Sequence, residues 1–258
     1  MTYNGFLSHI DLAQVVLYIF WLFFSALILY LVRENKREGY PLVADVADRS
    51  YGAWIGWPDL PKPKTYILPH GGTVTVPNSK QDARTINLTP SAPFPGAPLE
   101  PTGNPLIDGV GPASYAERAD VPDLTLEGDP KIVPLRVAPD FSVATRDPDP
   151  RGMAVIGTDG RIAGTVTDAW VDKSEYIFRY FEMEVGEAGR HILLPVTFCR
   201  VDAGNRQIRV KAITAAQFAD VPGLANPDQV TFLEEDKICG YYGGGYLYAT
   251  PDRAEPLI

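Results

Sequence analysis

The chain has 258 residues and a formal net charge of -9, with a pI near 4.8. That length allows one or two cores, and the acidic balance excludes nucleic acid as the main partner, because neutralising phosphates takes a net basic face. Cys199 and Cys239 are too few for a disulfide framework and lack the C-x-x-C spacing of a zinc or redox site, so both read as buried thiols.

The first element is an apolar run. Leu12 to Val32 spans 21 residues without a charged side chain, interrupted by Gln14 and Ser25. As a helix it reaches roughly 31 Å at about 1.5 Å per residue, the hydrocarbon thickness of a bilayer. A core helix would carry a polar face, and a cleaved signal would begin with a basic region, yet "MTYNGFLSHID" holds no Lys or Arg. Residues 12–32 therefore read as an uncleaved transmembrane anchor. Arg33, Lys36 and Arg37 follow it, so the basic-side-in rule puts residues 1–11 outside, in the periplasm, and the bulk of the chain in the cytoplasm. That compartment keeps both cysteines reduced.

Residues 33–120 read as an extended strap. The interval from Pro58 to Pro150 holds 18 of the 24 prolines, and proline removes an amide donor and biases its predecessor to extended geometry, which excludes long helices. Trp54, Trp57, Tyr66, Ile67, Leu68, Phe94, Leu106, Ile107 and Tyr115 are more large apolar groups than a disordered linker keeps. The strap is expected to lie on a surface, its own domain's or a neighbour's, with one strand pair near "TYILPHGGTVTVP" turning at Gly71-Gly72.

Residues 121–258 switch to short β runs: "KIVPLRVA", "AVIGTDGRIAGTVTDAWVD", "FRYFEMEVG", "RHILLPVTFCRVD" and "NRQIRVKAI". Asp159-Gly160 and "DAGN" mark turns, and strands of this length predict a small barrel or sandwich. "TAAQFAD" predicts a helical turn or two capped by Thr214. The segment "DQVTFLEEDKICGYYGGGYLYATP" should start as a helix favoured by early acidic residues and weaken at Gly243, Gly244 and Gly245.

No H-E-x-x-H, G-x-S-x-G or Walker pattern occurs. "GYYGGGY" has the glycine content of a phosphate loop without its spacing or preceding strand. The histidines are His9, His70 and His191; His191 and Cys199 on neighbouring strands read as structural rather than as base and nucleophile. "WVDKSEYIFRYFEMEV" is more informative. It gathers Asp172, Lys173, Glu175 and Arg179 in one turn and strand, where acids and bases shift one another's proton affinity. A carboxylate there, moved into a dry interface, would accept and pass protons near neutral pH.

Five stretches in order, "RENKREGYPL", "LPKPKTYILPHG", "DGVGPASYAER", "AGTVTDAWVD" and "LEEDKICGYYGGGYLYA", resemble the H subunit of the purple-bacterial photosynthetic reaction centre. The resemblance implies one transmembrane helix, an extended proline-rich segment and a mainly-β cytoplasmic domain, a PRC-barrel, with a short C-terminal helix. It implies a place in the bacterial inner membrane (intracytoplasmic or chromatophore), capping the L and M subunits beside lipids and the light-harvesting antenna ring. Bacteriochlorophyll, bacteriopheophytin, ubiquinone or menaquinone, non-haem iron and carotenoid belong to those partners. This chain would hold no cofactor or metal, perform no catalysis, stabilise the complex and assist proton delivery to the secondary quinone. Glu175, Asp172 and Arg179 match the family's proton-pathway positions, and Asp123 matches an acid that is a longer Glu in the family. Where the family has His-Gly-His near the proton entrance, this chain has Glu127, Gly128 and Asp129, leaving Glu127 and Asp129 as the proton-entry surface; Thr158 stands where the family can have cysteine. The alternative is a membrane-anchored PRC-barrel adaptor or assembly factor.

Overall fold

The computed structural model describes residues 11–42, 55–69, 71–78, 82–94, 96–186 and 189–254. His9, His70, Trp54 and the N-terminal residues 1–10 lie outside the described residues. Two compact units are present, Met1–Gln81 with Phe94–Gly96, and Asp82–Pro93 with Ala97–Ile258.

In the first unit, helix α1 covers Leu12–Glu34 and is capped by Asp11, whose side chain accepts from the Ala13 amide. None of its side chains is buried, as expected of a rod whose solvent is lipid. A 3-10 turn, Asn35–Arg37, ends it. The expected hairpin follows as β1 (Lys64–Ile67) and β2 (Thr73–Val76), with Gly71 and Gly72 at φ +95° and +84° between them. Lys36 is buried and donates to the Ile55 and Pro58 carbonyls at 2.7 and 2.6 Å. Arg37 donates to Glu34 at 2.8 Å and to the Lys62 and Val76 carbonyls at 2.7 and 3.1 Å, so the basic flank fastens the hairpin to the helix end.

The second unit is built on a curled sheet. Two short strands, β3 (Leu88–Pro90) and β4 (Leu99–Pro101), pair with each other. A single helical turn α2 (Pro105–Asp108) inserts Leu106 into the core. The main sheet takes β5 (Ile132–Pro134), β6 (Ala154–Ile156), β7 (Ile162–Asp172), β8 (Ile177–Val185), β9 (Arg190–Pro195), β10 (Cys199–Asp202) and β11 (Gln207–Val210). Its order is β10-β11-β6-β7-β8-β9, with β5 paired to the far end of β7. The β11–β6 pair is parallel, the others antiparallel, and register shifts within β7–β8 supply the bending that curls such sheets. "RHILLPVTFCRVD", one run in the sequence, is broken at Pro195 into β9, a 3-10 turn at Val196–Phe198 and β10.

Thr214 and Gln217 form a capping box on the 3-10 segment Ala215–Asp220, in the expected place. The last helix, α3 (Phe232–Tyr248), starts on a second capping box, Thr231 with Glu234. The glycines were expected to weaken it, and the structure corrects this: α3 runs through Gly243, Gly244 and Gly245 to Tyr248. Packing outweighs propensity here. A Cβ on Gly244 would lie 2.5 Å from the Ala113 Cβ, and one on Gly245 would lie 2.4 Å from the Ala212 carbonyl oxygen, so small residues let the helix approach the backbone beneath it. Trp170, Phe218, Ile238 and Tyr242 complete the core at 0 % exposure.

Candidate functional site

The pairing of β5 with the end of β7 sets Ile132 opposite Asp172. Just before β5, the Lys131 amide donates to the Asp123 carbonyl at 2.8 Å, and the Lys131 carbonyl accepts from the Lys173 amide at 3.0 Å. Three chain segments thereby meet at one ammonium. Lys131 Nζ lies 3.3 Å from Asp123, 3.5 Å from Asp172 and 4.0 Å from Glu175, and Glu175 also lies 3.9 Å from Arg179. The four proton-pathway candidates from the sequence, Asp123, Asp172, Glu175 and Arg179, belong to this one cluster.

Their environments differ. Asp172 is buried and its Oδ1 accepts from the Ser174 and Glu175 amides at 2.9 and 3.0 Å, which closes the tight turn into β8. Glu175 stands outside, its side chain 53 % exposed. Burial works against the Lys131 charge, but the hydrogen bond to Asp123 and the fields of Asp172 and Asp123 outweigh it, and its pKa is raised. Sequence reasoning missed Lys131 and took Lys173 as the neighbouring cation. Lys173 instead lines a shallow depression of about 380 Å³ with Glu127, Asp129 and Tyr176. Glu127 is held below the usual carboxylate range, chiefly by its own backbone amide. The turn carrying these acids is closed by Thr125 donating to the Asp129 carbonyl at 2.8 Å, with Gly128 at φ +92°.

A carboxylate beside this cluster also escaped the sequence reading. Glu235, in the first turn of α3, accepts from the Tyr180 hydroxyl at 2.6 Å. Burial pushes its pKa up against the opposing Tyr180 bond and the Arg179 and Arg118 charges.

A second ionic cluster is structural in its geometry. Glu182 is buried on β8 and accepts from Arg136 at 2.6 Å, the Trp170 indole at 2.9 Å and His191 at 2.8 Å. Arg136 also reaches Asp168 at 3.4 Å and Asp228 at 3.1 Å. His191 is thus engaged by Glu182, whereas Cys199 donates to the Pro195 carbonyl at 3.3 Å, so the two do not form a base and nucleophile. Both cysteines are free thiols whose pKa is raised by burial. Among the described residues, no group of three or more His, Cys, Asp or Glu is arranged to hold a metal ion. Among the described residues, one helix, Leu12–Arg37, is long and apolar enough to cross a membrane.

Comparison with known families matches residues 4–137 to the photosynthetic reaction centre, H-chain N-terminal region. Residues 144–217 match the PRC-barrel domain, which covers β6 to β11.

Proposed function

Because the chain belongs to the photosynthetic reaction-centre H-chain family and carries a PRC-barrel domain, we propose that it caps the L and M subunits from the cytoplasmic side and helps bring protons to their secondary quinone. Its single span anchors it beside the partner helices, with the N-terminus on the periplasmic side. The match over residues 4–137 favours this reading over a free-standing adaptor.

The observation that carries the proposal is the Lys131 cluster, where Asp123, Asp172 and Glu175 share one ammonium within 4.0 Å. Reducing a quinone to a quinol consumes two protons, and the electron chemistry belongs to the cofactors of the partner subunits. This chain holds and moves protons at carboxylate oxygens. Glu127 and Asp129 collect them at the surface, where acidic groups raise the local proton concentration. Asp123 and Asp172, both in contact with the Lys131 ammonium, relay them inward, and Glu175 passes the proton onward. Transfer between such groups needs hydrogen-bond reach, directly or through one water. Lys131 and Arg179 position the acids and offset the charge left behind when a proton departs.

Glu175→Gln in the assembled complex tests this. Flash absorption kinetics should show slower proton-coupled transfer of the second electron to the secondary quinone, with primary charge separation intact. An unchanged second-electron rate across pH removes Glu175 from the route.

A further inference from the structure

The second unit holds a cavity of opposite charge. It has a volume of about 1010 Å³ and opens between the β6–β7 turn, β10, β11 and the last turn of α3. Arg200, Arg209, Lys211 and Arg253 line it against one carboxylate, Asp202, in a chain whose formal charge is -9. Asp202 lies 3.7 Å from Arg209. Its pKa is lowered first by hydrogen bonds from Asn205 and then by Arg209 and Arg200, so this acid is already shared. Among the described residues, Arg200, Lys211 and Arg253 make no ion pair.

Two features set this cavity apart from a solvated basic surface. Arg200 and Arg209 are direct register partners across the antiparallel β10–β11 pair, and like charges directly opposite destabilise a sheet. Arg253 is also fixed in place, donating to the carbonyls of Ala212, Gly245 and Lys211 and to the Thr158 hydroxyl at 2.6–2.9 Å. Its charge stays at the cavity wall while its donors hold α3 to the sheet. Beside these cations Tyr246 is 52 % exposed, with its ring 6.0 Å from that of Phe198, giving an apolar flank.

We propose that this cavity binds a phosphate-bearing anion, clamped between Arg200 and Arg209, with Lys211 as a third charge and Tyr246 against the organic part. Guanidinium groups offer forked donors that match phosphate oxygens. The convergence of four cations on one compact cavity suits a small multivalent anion better than an extended acidic peptide, which needs a track. Bound anion would also relieve the Arg200–Arg209 repulsion. The phosphate could belong to a soluble ester or to a lipid headgroup, and the two are separable.

The test is thermal unfolding of the full-length chain, in neutral detergent with rising inorganic pyrophosphate, and in phosphatidylcholine nanodiscs with and without phosphatidylglycerol. A rise in Tm with pyrophosphate assigns a soluble source; a rise with phosphatidylglycerol alone assigns the headgroup. Arg200→Gln should leave the ligand-free Tm unchanged or higher, since it removes repulsion, whereas Arg209→Gln also gives up the exposed Asp202 contact. Each should weaken anion binding about ten-fold or more, the worth of one charge-assisted hydrogen bond. No shift with either source overturns the proposal, as does an equal shift in the Arg200→Gln/Arg209→Gln double variant, or a response to polyglutamate in place of phosphate.

Discussion

The two units treat large apolar side chains in opposite ways. In the second, Trp170, Phe218, Ile238 and Tyr242 are sealed at 0 % exposure. In the first, Trp57 is 76 % and Ile67 85 % exposed, and α1 buries none of its side chains. The second unit carries its own core and so its own folding free energy. The first is fastened by polar staples, Lys36 to two carbonyls and Glu34 to Arg37 and Lys64, and leaves these large apolar side chains exposed.

Several substitutions sharpen that contrast. Trp170→Ala empties the centre of the second unit and removes a donor to Glu182; it should cost about 3–5 kcal/mol, read by denaturant unfolding. Gly245→Ala sets two principles against each other. Helix propensity alone would stabilise α3 by about 1 kcal/mol, but the new Cβ meets the Ala212 carbonyl oxygen at 2.4 Å, so a net loss of about 1–3 kcal/mol is expected from overpacking. A gain in Tm would show that α3 is not closely seated.

Glu235→Gln gives a smaller effect with a pH signature. Burial raises the Glu235 pKa, so the folded state favours the protonated acid. That contribution is fully present below the unfolded pKa and is lost as pH rises through the folded one. Glutamine stays neutral, so the variant should exceed the parent in Tm at pH 7–8 and converge with it near pH 4. A difference that is constant with pH would contradict the assignment. At the small end, Trp57→Ser and Ile67→Ser should change the chain's unfolding free energy by no more than about 0.5 kcal/mol, as for exposed sites, while reducing recovery of L and M subunits on affinity purification. A large loss of stability in the chain alone would mean that these side chains have a core of their own.

What the sequence disclosed follows the range of the interactions involved. The span, the Gly71-Gly72 hairpin and the Thr214 cap are set by residues within a few positions of one another, and each appears where periodicity and turn chemistry place it. Lys131 was missed because its nearness to Asp172 depends on β5 pairing with the far end of β7, which no local pattern encodes. Lys173 looked like the partner through adjacency alone, yet it faces Glu127 and Asp129. The α3 glycines misled for the same reason, since Ala113 and Ala212, the groups they accommodate, are distant in sequence. The Arg200–Arg209 pairing likewise becomes visible only once the β10–β11 register is known.

The most direct test of the proton-relay reading is flash-induced proton uptake by the assembled complex, followed with a pH-indicator dye after the second flash. With Asp172→Asn and Glu175→Gln combined, uptake and the second electron transfer should slow together while charge separation keeps its rate. Uptake at the parent rate in that variant would contradict the claim that the Lys131 cluster carries protons.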